Sequence, residues 1–161
     1  MAAAESQSII EGRAWRRGSV VASIGEDIRS FIVGSTSIAT HFTAISKIGV
    51  VEQNKVRQDA PDPRIWFQRD QSNETTDLSG TGGLVESRWN IEVHSNSDDN
   101  RFNIMDAVKR RMNGYLGTFG SRSVQGVFIE DHDDDYFPRG VGTEDGLYVA
   151  AASAVIWFTS T

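Results

Sequence analysis

The densest group of titratable side chains lies at residues 130–135, where the chain reads EDHDDD. Carboxylates around one imidazole are ligand types for a hard or borderline divalent cation, and a metal held there could activate water for hydrolysis. The run lacks the spaced ligands and internal glycine of a calcium loop. Five like charges this close together read more simply as a solvated loop leaving a strand. The three histidines, His41, His94 and His132, are far apart in sequence. None belongs to a metal or triad motif, and no GxSxG nucleophile elbow occurs. The glycine-rich GTGG at 80–83 offers backbone amides, but it lacks the lysine and spacing of a phosphate loop and precedes a strand where such a loop opens a helix. Arg13, Arg16 and Arg17 surround Trp15. That cluster suits either a nucleic-acid backbone or a protein contact, since arginine and tryptophan are favoured interface anchors.

The sequence therefore assigns no catalytic residue, no cofactor and no metal site, and the chain reads as a non-enzyme. Its composition narrows the classes further. With no cysteine among 161 residues, disulfides, thiolate catalysis and cysteine-ligated metals are excluded. No apolar run approaches the ~20 residues of a membrane span. The N-terminus has no apolar core after a basic start, so a soluble protein made in cytoplasm is expected. A formal charge of −6 argues against the basic surface that tight nucleic-acid binding requires. At this length one domain is expected.

The elements follow from periodicity. Residues 1–20 hold no period and read as an arm, either an unstructured tail or a segment that orders on a neighbour through Ile9, Ile10 and Trp15. Residues 23–33 predict a helix: Ser23 and Glu26 have capping-box spacing, Ile24, Ile28, Phe31 and Ile32 share a face, and Gly34 ends the run. A short strand is expected over 48–54, a turn at 59–63, and a strand over 64–69 with Ile65 and Phe67 on one side. Residues 70–83 are polar and glycine-rich and predict a flexible loop whose lone Leu78 is left to meet a partner. Val85, Trp89, Ile91 and Val93 alternate with polar residues over 84–95, the clearest strand in the chain. A second helix is expected over 98–116, with Phe102, Met105, Val108, Met112 and Tyr115 as its apolar stripe. Strands follow at 124–131 and 147–158, separated by a polar link at 132–146. The last strand alternates two apolar faces, and Tyr148, Ile156 and Phe158 are expected on the one that the chain's own helices leave uncovered.

This order predicts an α+β domain over 21–161: a mainly antiparallel, mixed sheet of about five strands with two helices on one face, preceded by the extended arm. The sequence of elements also resembles a known family. A helix ending at Ile28–Gly34 is followed by a proline-bearing loop into the Pro61–Phe67 strand and by the long strand ending in the RWNIEVHS stretch (Arg88–Ser95). Then come the DAVKRRM helix (Asp106–Met112) and a late strand ending in an aromatic (Val149–Phe158). This pattern resembles the tail-completion or tail-terminator proteins of long-tailed bacteriophages.

The resemblance implies a structural virion protein of the tail or neck. Its copies would form a homo-oligomer, a hexameric ring that caps the tail tube. As partners it implies the tail tube protein and the head-side connector or stopper protein, with transient passage of DNA through the lumen, no specific DNA binding and no membrane. An acidic lumen would let DNA slide, because phosphate contacts would oppose transit. The interface candidates are Ile9, Ile10, Arg13, Trp15, Arg16, Arg17, Leu78, Tyr148, Ile156 and Phe158. Two alternatives stand beside it: a head–tail connector or tail-tube subunit, and a small metal-dependent hydrolase or ligand-binding domain using residues 130–135.

Overall fold

The computed structural model describes residues 23–42, 50–52, 62–75, 83–137 and 146–159. Among them the elements are α1 (Ile24–Val33), α2 (Thr36–Ala39), β1 (Val50–Glu52), β2 (Arg64–Thr75), β3 (Leu84–Ser95), α3 (Asp98–Met112), β4 (Gly117–Phe119), β5 (Arg122–Phe137) and β6 (Leu147–Thr159). The strands form a six-stranded sheet in the order β1-β2-β3-β6-β5-β4. β1 runs parallel to β2, and every other pairing is antiparallel. The α+β class and the mixed, mainly antiparallel sheet agree with the sequence, and α2 and β4 are additions to it.

Alternation builds the core. Val85, Trp89, Ile91 and Val93 of β3 all point to one face and are buried. Ser87, which interrupts that apolar series, is also buried there and hydrogen-bonds the Gln71 carbonyl at 3.4 Å. In register across β6, Ala154, Ala152 and Ala150 stand opposite Trp89, Ile91 and Val93. Large side chains on one strand beside small ones on the next let a helix approach closely, and α3 lies over this pair of strands. Its inward residues are Arg101, Ile104, Met105, Ala107, Val108 and Met112.

Phe102, expected in the helix stripe, is 56% exposed. The inward position one residue earlier is held by Arg101, whose apolar stem packs while its guanidinium is paired to Asp98 and Asp134, both at 2.5 Å. α3 also ends at Met112, earlier than the spacing predicts. There Gly114, at φ 73°, turns the chain so that its amide meets the Val127 carbonyl at 2.7 Å.

α1 is capped as its sequence dictates, with the Ser23 side chain accepting from the Glu26 amide at 3.3 Å. Its Ile24, Ile28 and Ile32 enter the core, and Ile38 of α2 joins them. Phe31 packs against Tyr115 and Phe119 with centroids 4.4 and 4.5 Å away. Asp27 of α1 pairs with Arg122 at the start of β5, beneath the Gly120 turn. Gly120 has φ 58°, and a Cβ there would overlap the Asp27 carboxylate. Gly120→Ala should therefore cost about 2 kcal/mol and lower the melting temperature by roughly 4–8 °C in a thermal melt.

Three segments depart from the periodicity. β2 continues to Thr75, six residues into the polar stretch expected to be a loop, because β3 is long enough to pair with all of it. β5 continues to Phe137, so the acidic run is strand and not a solvated exit. The faces of β6 are the reverse of the expectation. Ala150, Ala152, Ala154, Ile156 and Phe158 lie in the core beneath the helices, and Val149, Ala151, Ser153, Val155 and Trp157 take the other face.

Candidate functional site

Register places one continuous set of side chains on the face that the helices leave free. From β3 come Glu86, Arg88, Asn90, Glu92 and His94, opposite Trp157, Val155, Ser153, Ala151 and Val149 of β6. β2 adds Arg64 and Trp66, and β5 adds Phe128, opposite Val155. Phe128 is 54% exposed, with its ring lying along Gly126, where a Cβ would sit 2.9 Å from it. Phe128 and the half-buried Trp157 make an apolar patch beside Val155, which is itself buried. Beside it, Arg88 is held between Glu130 at 2.6 Å and Glu86 at 3.3 Å. The Glu130 hydrogen bond, with both negative charges, holds the Arg88 guanidinium above its ordinary pKa.

The other end of this face is a stack. The Trp66 ring lies 4.2 Å from His94, and the Arg64 guanidinium lies 4.9 Å from the Trp66 ring centre. His94 Nε2 meets a Glu92 oxygen at 2.8 Å. Arg64 Nε, Trp66 Nε1 and His94 Nδ1 are buried with no hydrogen-bond partner among the described residues. Such groups cost free energy unless water or a second chain partners them.

Burial pushes the His94 pKa below its ordinary value, outweighing the hydrogen bond and charge of Glu92, which raise it. The folded chain thus binds this proton less readily than the unfolded chain does. The stability His94 contributes is complete above an unfolded pKa of about 6.5 and is lost as pH falls below it. A melting temperature followed from pH 7.5 to 5 should fall, and His94→Gln should flatten the decline.

The sequence-derived candidates fall in three places. Ile9, Ile10, Arg13, Trp15, Arg16, Arg17 and Leu78 lie outside the described residues. Ile156 and Phe158 are in the chain's own core. Tyr148 stands at the core's edge, its ring centre 4.6 Å from that of Tyr136. Of the three described candidates, Ile156 and Phe158 are buried and Tyr148 is half-buried.

The acidic run is split by the strand. Asp133 and Asp135 are aligned with Ala151 and Val149 on the free face, while Asp134 is aligned with Ala150 and pairs with Arg101. Among the described residues, no group of three or more histidines and carboxylates comes together to hold a metal ion. No described helix is long and apolar enough to cross a membrane. Phe128 and Arg101 are the residues that sequence reasoning missed. The first is hidden by β-bulges at Val124/Gly126 and Ile129/Asp131, which change which residues of β5 share a face.

No protein-family profile and no curated protein matches this chain. Among solved structures it is similar to a chain of a "Virion of native gene transfer agent (GTA) particle", with a TM-score of 0.55 and 11% identity. The similarity covers 86% of this chain and 92% of that one. At this identity the likeness is one of fold, and it extends over nearly the whole domain.

Proposed function

We propose that this chain is a structural virion protein, a tail terminator. Its copies form a homohexameric ring that caps the tail tube, stops its growth and joins it to the head-side connector, with DNA passing through the lumen. It works in the tail or neck of a virion after synthesis in the host cytoplasm, and it catalyses no reaction. The observation that carries this reading is the helix-free sheet face, where the exposed Phe128 and the half-buried Trp157 stand beside the charged Arg88, Glu86 and Glu130. An apolar centre with a charged rim is the anatomy of a protein–protein interface. A fold shared with a chain of a virion particle supports the same reading. A ring repeats one heterologous contact until it closes, so each copy needs apolar surface beyond its own core. The formal charge of −6 suits a lumen through which DNA moves without sticking.

The metal-dependent alternative needs the carboxylates of residues 130–135 to converge, and the strand sends Asp133 and Asp134 to opposite faces. The test is to add the purified chain to polymerising tail-tube subunits and image the products. The expected result is tubes that stop growing and carry a ring at one end. Tubes of unchanged length without rings would overturn the terminator role, and open-ended stacks of the chain alone would make it a tube subunit.

A further inference from the structure

Among the described residues two long strands have a largely unpaired outer side, β2 beyond Phe67 and β5, and β5 is the one guarded by a run of acids. β4 covers it only from Arg122 to Val124. Past β4, Gly114 meets the Val127 carbonyl and Asn113 Oδ1 accepts from the Ile129 amide at 3.1 Å. From residue 130 to 137 no described strand lies beyond it. An edge of this length invites another strand, and proteins guard such edges with charge. Here the guard is specific. The Asp133 carboxylate takes the Asp134 amide at 2.9 Å, and the Asp135 carboxylate takes the Tyr136 amide at 2.8 Å. By the alternation of β5 after its second bulge, these two amides face outward.

Two copies of β5 cannot pair edge to edge, because the five acids of residues 130–135 would oppose one another. The complement is an extended basic segment. The sequence has two such clusters, Arg13–Ala14–Trp15–Arg16–Arg17 and Lys109–Arg110–Arg111, and the second is committed to helix α3. In an extended chain Arg13, Trp15 and Arg17 share one face, matching the repeat that puts Asp133 and Asp135 together.

We infer that residues 13–17 of a second copy add as a strand to the outer edge of β5. Their arginines draw the Asp133 and Asp135 carboxylates away and free the two amides for the incoming backbone. Asp134 stays with Arg101 and keeps the strand in place. A second copy is favoured over the same chain on reach. The eight residues from Ser23 back to Trp15 span at most about 29 Å. Arg122, which anchors α1 through Asp27, lies roughly 36 Å along β5 from Asp133. Measured from Arg122, even a fully extended segment of the same chain would fall short of Asp133.

This contact rests on the ring reading only in requiring a neighbouring copy, and it is tested separately from it. Because the full chain has no cysteine, a variant carrying Ala14→Cys can be mixed with one carrying Asp133→Cys and oxidised. The contact predicts a disulfide-linked dimer of the two variants, and much less when Asp99→Cys replaces the second. Charge reversal at Arg13, Arg16 and Arg17 to Glu, or at Asp133 and Asp135 to Lys, should weaken association at least tenfold. The two sets combined should restore it. Equal linkage to the Asp99 control, linkage only within a chain carrying both cysteines, or reversal without effect would overturn the inference. A ring that persists through such a failure would leave the terminator reading standing, whereas absence of any ring would count against that reading itself.

Discussion

Asp27→Ala should lower the melting temperature by roughly 6–20 °C, because breaking a buried ion pair costs about 3–5 kcal/mol. The Asp27 and Arg122 side chains are only 7% and 14% exposed, and their pairing ties the first turn of α1 to the start of β5. Removing the carboxylate leaves a guanidinium buried without it. The loss then includes the penalty of burying that charge without its carboxylate, beyond the net worth of the bond. Arg122→Met in the Asp27→Ala background should recover much of the stability, since a paired charge and an apolar replacement are nearly equivalent inside a protein. A double-mutant cycle by thermal or denaturant melting checks this, and additive losses would show that the pair is not coupled.

Phe128→Asp should leave the fold intact and weaken self-association by roughly 30-fold or more, the effect of losing an interface anchor worth about 2 kcal/mol or more. With more than half of its surface open, Phe128 contributes little to the stability of the single chain. It lies across from Val155 on the same face as the half-buried Trp157, so a charge at residue 128 would stand within the apolar patch. Phe102 supplies a matched control. It is 56% exposed on α3, on the other side of the sheet, and Phe102→Asp should leave association unchanged. Sedimentation of both variants, with melting temperatures beside them, separates an interface effect from unfolding. Equal loss in the two variants would deny the helix-free face any special role.

How much of this was legible in the sequence depends on burial. β3 was readable because one face is packed and the side chains report it. Val85, Trp89, Ile91 and Val93 mark an inward face that register confirms. The cap of α1 was readable too, since Ser23 accepts from the Glu26 amide as its spacing requires.

Periodicity failed where neither face is packed. Residues 70–73 of β2 are exposed on both sides, and their strand exists because β3 supplies a partner. The same holds for residues 133–136, where charge reads as loop although β6 pairs with every one of them. In β6 both faces are apolar, so alternation alone could not say which one the helices cover. The deciding residues are the alanines, because only a track of small side chains admits α3. The candidate face was hidden for a second reason. The bulge between Val124 and Gly126 puts Val127 in the core with Val124 and leaves Phe128 outside, and a bulge leaves no mark in hydrophobic spacing.

The most direct test of a ring-forming virion subunit is the mass of the full chain in solution by light scattering, with images of the same particles. Six copies of a 17.7 kDa chain give a species of about 106 kDa, seen as closed rings of uniform diameter. A single species at 17.7 kDa up to the highest attainable concentration, and its absence from assembled tails, would contradict the account.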